Sequence, residues 1–126
     1  MKKYHTTAAH FKIFKKECRK WIDFFELNNW KVYFAHVDEP EIKNLAWCNC
    51  TLSTLTATLC LNTTWRNDIP NNTWVKGAAR HEVIHLLLGR LASLAVARFT
   101  KEDEIDSAEE GLIHRIEYII DKLGAR

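Results

Sequence analysis

The longest apolar stretch of the chain, residues 74–98, reads WVKGAARHEVIHLLLGRLASLAVAR. Apolar residues occupy nearly every side of its middle: Val83, Ile84, Leu86, Leu87, Leu88, Leu91 and Leu94. A helix that is apolar all round is buried rather than laid on a surface. The stretch therefore predicts a long central helix from about Trp74 to Arg98, with Asn72 or Thr73 as its N-cap.

A second helical pattern lies near the start of the chain. Its apolar residues recur at the spacing of one helical stripe: Phe11, Phe14, Cys18, Trp21, Ile22 and Phe25. Asn28 and Asn29 are expected to end this helix. The basic residues between these positions are typical of a solvated helix face: Lys12, Lys15, Lys16, Arg19 and Lys20.

Three strands are predicted between the two helices. They cover Trp30 to Val37, Leu45 to Cys50 and Leu55 to Leu61, and the last alternates apolar residues with threonine and cysteine. Because the connections between successive strands are short, an antiparallel meander is the expected arrangement.

A final helix follows, with Thr100 as its predicted N-cap and Gly124 as its end. Its buried stripe is predicted to consist of Ile105, Leu112, Ile116, Ile119 and Leu123. The order of elements predicts an α+β fold: an N-terminal helix, a small, mostly antiparallel three-stranded sheet, then two long helices. A chain of 126 residues is expected to form one domain over residues 1–126.

Composition and charge narrow the functional classes. The net charge of +2 neither demands nor excludes a nucleic-acid partner, but the one dense basic cluster is the solvated face of the first helix, so such a partner is not expected. The basic Met1-Lys2-Lys3 is followed by polar residues where a secretory signal would become apolar, and no stretch is apolar for the length of a membrane span. The expected location is therefore the cytoplasm, with no membrane partner.

The four cysteines are Cys18, Cys48, Cys50 and Cys60. In a cytoplasmic chain, cysteines are usually reduced and packed as small apolar residues. Cys48 and Cys50 could in principle begin a metal site, but the second cysteine pair of a tetrahedral site is absent. A structural role is therefore expected for these thiols.

The residues most suited to bind a metal ion lie in the sequence His81-Glu82-Val83-Ile84-His85. On a helix, the spacing of four places both imidazoles on one face, where both can bind one zinc ion. Glu82 lies next to that face and can contact a water molecule on the ion. Since burial of three such groups is costly without compensation, the apolar surroundings favour a metal site over a pair of core histidines.

A catalytic zinc site usually has a third protein ligand. Leu91 stands where a third histidine of a longer motif would be, so the ligand is expected on the last helix. Glu109 falls within the apolar stripe of that helix and is the preferred candidate, with Glu110 as the alternative. An exposed acidic pair remains the alternative interpretation for both.

The H-E-x-x-H helix followed by a glutamate on the next helix resembles the gluzincin branch of the zincin metallopeptidases. The run HEVIHLLLGRLASLAVARF…EIDSAEEGLIHRIE resembles compact zincin-like proteins of bacteria and their phages, mainly over residues 74–120. This resemblance implies that an extended peptide binds along an edge strand beside the helix. Leu55 to Leu61 is the predicted edge, although a core strand is an equal alternative.

These observations predict a zinc-dependent metallopeptidase that acts on a peptide or protein, with Glu82 as the general base. The oxyanion donor is left open among Arg80, His114, Arg115 and Tyr118. The alternative is a non-catalytic, zinc-stabilised binding or regulatory module, phage- or DNA-associated. A structural zinc site has no use for an unliganded carboxylate beside its ligands, so Glu82 favours the enzyme.

Overall fold

The computed structural model describes residues 2–97 and 101–124, and it confirms the mixed α+β class. The described elements are β1 (Lys3–His5), α1 (Ala8–Phe24), β2 (Lys31–Val37), β3 (Ala46–Thr51), β4 (Thr56–Asn62), β5 (Thr64–Arg66), α2 (Asn72–Leu87), α3 (Gly89–Val96) and α4 (Glu102–Gly124), with a 3₁₀ turn over Leu52–Thr54. The predicted helix end at Arg98 and cap at Thr100 lie outside the described residues.

Helix α1 follows the predicted stripe and buries Phe14, Cys18 and Ile22. It ends at Phe24, a few residues before the predicted Asn28, and Glu26 then takes a left-handed backbone conformation with φ 57°. That reversal lets the amide of Leu27 donate to the carbonyl of Ile22 at 2.9 Å, which closes the last turn.

The three predicted strands form one sheet, but in the order β2-β4-β3. Strand β4 is parallel to β2 and antiparallel to β3. The predicted meander required β2 to pair with β3, and that part of the prediction is wrong because β4 lies between them. The prediction that Leu55 to Leu61 is an edge strand is also wrong, since β4 is the central strand. The physical reason is that β4 is buried on both faces, with Leu59 and Cys60 both nearly inaccessible.

A second, two-stranded sheet has no counterpart among the predicted strands. It pairs β1 with β5 in antiparallel register, from Lys3 opposite Arg66 to His5 opposite Thr64. Each strand has three residues, which is too short for an alternating pattern to be recognised. The pairing nevertheless fixes the start of the chain beside Trp65, which is completely buried.

Residues 74–97, the described part of the predicted central helix, do not form a single, fully buried helix. Helix α2 ends at Leu87, and a turn at Leu88 separates it from α3. The buried residues of α2 form one stripe: Val75, Ala79, Glu82, Val83 and Leu86. Ile84 is exposed on the other face of α2, and Leu88 is exposed in the turn that follows it. Helix α2 therefore has one buried and one exposed face, and some of its apolar residues are not buried.

The chain divides into two compact units, Met1–Leu86 and Leu87–Arg126. The first contains both sheets and α1; in the second, α3 packs on α4. The predicted stripe of α4 is wrong at Ile116 and Leu123, which are 48% and 50% exposed, and Ala108 is buried instead. No helix among the described residues is long and apolar enough to cross a membrane. The single domain stays a prediction.

Candidate active site

His81 and His85 lie one turn apart near the end of α2. Their ring centroids are 4.9 Å apart, with 75° between the ring planes. Both side chains are exposed, so the expected burial of the two imidazoles is wrong. The reason is helical phase: both residues fall outside the stripe that α2 buries, and the same rotation that exposes them turns Glu82 inward.

Glu82 is one of four buried polar or charged residues in the described chain; the others are Thr6, Asn62 and Thr64. Those three all form hydrogen bonds. Glu82 is only 7% exposed, yet it makes no hydrogen bond or ion pair with any residue of 2–97 or 101–124. A buried carboxylate without a partner is costly, so such a group usually serves a ligand or a reaction.

Burial raises the pKa of the Glu82 carboxyl, and the charges of His81 and His85 when protonated oppose that rise. The charge of this carboxylate acts on three thiols, one each from α1, β3 and β4. Burial is the main cause that raises the pKa values of Cys18, Cys48 and Cys60, and the negative charge of Glu82 raises all three further. The site is therefore poorly solvated on its inner side.

All four cysteines are free thiols. Cys18 is buried, and its Sγ donates to the carbonyl of Ala79 at 3.8 Å, which fits the structural role predicted for it. Cys60 is also buried, whereas Cys48 is half-buried and Cys50 is exposed. Cys18 and Cys60 are therefore packed in the interior as expected, whereas the expected packing is wrong for the exposed Cys50.

A cavity of about 610 Å³ opens beside Glu82. Its walls come from the segment that enters β3 and from the first turns of α2: Asn44, Leu45, Ala46, Thr73, Trp74, Gly77, Ala78, Arg80, His81 and Glu82. Most of these residues carry no signal in the sequence, because a loop and a helix distant in the chain create the space together. Among the lining residues, only His81 and Glu82 belong to a recognisable sequence motif.

Glu109 and Glu110, the predicted third ligands, lie on α4 in the second unit, and both are exposed. The expectation that Glu109 belongs to a buried stripe is wrong, since the neighbouring Ala108 takes that place. Glu110 Oε2 lies 3.8 Å from His114 Nε2, and His114 Nδ1 lies 3.6 Å from Glu117 Oε1. The choice between Glu109 and Glu110 stays a prediction.

Two exposed imidazoles on one helix face suit zinc as nitrogen ligands. The buried carboxylate of Glu82, next to His81 in the chain, fits the same interpretation, because it has no hydrogen-bond partner among the described residues. Within residues 2–97 and 101–124, no three His, Cys, Asp or Glu side chains form a group that could hold a metal ion. Zinc binding by His81 and His85, and the third ligand, stay predictions.

Of the residues considered as oxyanion donors, Arg80 lines the cavity. Its guanidinium carbon lies 5.8 Å from the ring centroid of Trp21 on α1, a cation–π contact that restrains the side chain. His114, Arg115 and Tyr118 lie on α4 in the second unit. Arg80 is thus the candidate that lies in the same unit as Glu82.

No protein-family model, curated protein or solved structure matches the chain. Function therefore has to be inferred from the side chains of the site and the cavity beside them.

Proposed function

We propose that the chain is a zinc-dependent peptidase in which His81 and His85 bind the metal and Glu82 is the general base. The observation that carries the proposal is the buried carboxylate of Glu82, which has no hydrogen-bond or ion-pair partner among residues 2–97 and 101–124 and lies with the exposed His81 on the wall of an open cavity. The zincin-like fold and a third ligand from Glu109 or Glu110 belong to the same proposal.

A zinc ion supplies Lewis acidity that lowers the pKa of a water molecule towards 7. Glu82 accepts the proton of the attacking water and later transfers it to the leaving amine. Its poorly solvated surroundings favour the protonated form needed for that second transfer. Arg80 is suited to stabilise the negative charge that develops on the carbonyl oxygen.

The outer edge of β3 is the proposed binding site for the substrate main chain. Among the described residues β3 pairs only with β4, so its other edge keeps free amide and carbonyl groups. An extended peptide can add there as a further strand, with main-chain hydrogen bonds that demand little of its sequence. Ala46, at the start of β3, also lines the cavity, which would bring the bound peptide to Glu82.

Replacement of Glu82 by Gln tests the proposal, because it keeps the shape of the side chain and removes the base. Cleavage of a mixed peptide substrate should fall by about 10²–10⁴-fold, while zinc content stays near one ion per chain. The control is Glu104→Gln, the same change at an exposed residue of α4, which should cleave like wild type.

His85→Ala should instead lose bound zinc and the stabilisation that zinc confers on heating. Purified wild-type protein that neither contains zinc nor shifts its melting temperature when zinc is added would contradict the proposal. Wild-type protein that binds zinc but cleaves no better than Glu82→Gln would instead indicate the non-catalytic, zinc-stabilised module.

A further inference from the structure

The cavity beside Glu82 is large and mainly apolar. Its volume of about 610 Å³ lies in the range typical of small-ligand sites, and it begins next to the two members of the motif, His81 and Glu82. Leu45 and Ala46, where the chain enters β3, also line it. Transfer of a charged group from water into such an apolar cavity costs free energy, whereas transfer of an apolar group is favourable.

One face of α2 forms the helical wall of the cavity. Trp74, Gly77, Ala78 and His81 follow one another at i, i+3, i+4 and i+7, so they share one side of the helix. Trp74 is 55% exposed, and its indole stacks on no other ring in the described part of the chain. An exposed indole on a cavity wall offers a large apolar contact surface to an incoming group.

Gly77 lies on this wall and leaves room in the cavity because it has no side chain. A Cβ atom built on Gly77 would meet no atom within 4 Å, and no glycine of the described chain has a positive φ. The backbone therefore has no need of glycine at this interior helical position, where alanine is more stable. The missing side chain therefore leaves open space at this wall of the cavity.

We propose that this cavity binds a large apolar side chain of the peptide substrate, aromatic or long aliphatic, and that Gly77 sets the size it accepts. The proposal rests on the proposed peptidase function. A peptide on the edge of β3 directs alternate side chains to the same face, so one of them can enter the cavity beside Ala46. Arg80, restrained over Trp21, disfavours lysine or arginine at that position.

The test compares wild type, Gly77→Leu and Gly77→Ala on peptides that share fixed flanks and vary one residue among Ala, Leu, Phe and Lys. Wild type should cleave the Leu and Phe peptides roughly 10–200-fold better than the Ala peptide, the range that apolar pockets provide. Gly77→Leu should reduce that ratio by at least tenfold, and Gly77→Ala should reduce it less.

Gly111 in α4 supplies the matched control. It is also a helical glycine whose added Cβ would meet nothing within 4 Å, and it lies outside the cavity. Gly111→Leu and Gly111→Ala should keep the wild-type selectivity. Thermal melting of all four variants separates a folding defect from a change of the cavity, since Gly→Ala should raise the melting temperature at both positions.

Binding of the same peptides, labelled with a fluorophore, to the Glu82→Gln background separates the cavity from catalysis. Apolar peptides that bind there and lose at least tenfold affinity with Gly77→Leu support the cavity even if wild type cleaves nothing, an outcome that contradicts only the peptidase. Cleavage without preference for Leu or Phe, selectivity unchanged in Gly77→Leu, or neither binding nor cleavage would overturn the inference.

Discussion

At the scale of single residues, burial shifts the pKa of two ionisable groups, Glu82 and His36. Glu82 has lost its solvent without gaining a hydrogen-bond partner in the described chain, whereas His36 has gained one: its Nε2 lies 2.6 Å from Thr6 Oγ1. With the Thr6 hydroxyl donating to the carbonyl of Asn62 at 2.9 Å, the hydroxyl oxygen accepts from Nε2 in the tautomer that carries its proton there. The neutral ring is sufficient for this bond, and the ring also stacks on Phe11 at 4.9 Å.

The stability of the chain should depend on His36 at mildly acidic pH. Burial, and then the nearby charge of His10, lower the pKa of His36, so the unfolded chain binds the proton more readily. Stability from this residue is complete above the ordinary imidazole pKa of about 6.5 and is lost as the pH falls below it. Urea unfolding at pH 8, 7, 6 and 5 measures the effect.

His36→Gln retains a donor for Thr6 but does not titrate, so its free energy of unfolding should change less between pH 7 and pH 5 than that of wild type. Equal pH dependence in wild type and His36→Gln would show that the acid sensitivity arises elsewhere.

At the scale of elements, helix α1 shows how local chemistry fixes a boundary. Thr7 Oγ1 accepts from the amide of His10 at 3.2 Å, and His10 Nδ1 accepts from the amide of Thr7 at 3.0 Å. This reciprocal pair is a capping box with histidine in place of the usual Glu or Gln. Three basic residues of the helix, Lys15, Arg19 and Lys20, lie over aromatic rings, as Arg19 does over Phe34 at 5.0 Å.

Loss of the cap should destabilise the first unit measurably. Thr7→Ala removes the acceptor for the amide of His10 and should lower the free energy of unfolding by about 1 kcal/mol. Thr7→Ser keeps the hydroxyl and should stay close to wild type. Denaturant unfolding of the three proteins makes the comparison, and an equal loss in both variants would mean that the methyl group of Thr7, rather than the cap, is responsible.

At the scale of the whole molecule, Asn62 connects the sheet to the cavity. It is completely buried at the end of β4, and its Nδ2 donates to the carbonyls of Glu39 and Asn44, both at 3.0 Å. Its Oδ1 accepts from the amides of Glu39 and Thr64. These bonds hold the segment that carries the chain from β2, past the end of β4, to β3, and Asn44 in that segment lines the cavity.

Asn62→Asp should therefore be among the most destabilising single changes in the chain. The substitution removes both donors and places a charge in a fully buried position, so the loss at pH 7 should be about 3 kcal/mol or more. Asn49→Asp makes the same chemical change at an exposed residue of β3 and should cost no more than about 0.5 kcal/mol. Similar unfolding free energies for the two variants would contradict the role assigned to Asn62.

The sequence by itself determined the α+β class, the stripe of α1, the places of three strands and the pairing of His81 with His85 on one helix face. These depend on periodicity, which acts between residues close in the chain. The same local rule makes the H-E-x-x-H motif recognisable from the spacing of its residues alone. Periodicity does not reveal the three-residue strands β1 and β5, because neither is long enough to repeat a pattern.

Only the tertiary structure decided which strand is central and which side of α2 is buried. Leu59 and Leu61 would suit an edge strand with one buried face, and only pairing with both β2 and β3 makes β4 the middle of the sheet. Likewise, an apolar composition around the whole of α2 does not specify its rotation. Packing against α1 and the sheet buries Glu82 and leaves His81 exposed, because the contacts that choose between these faces join residues far apart in the chain.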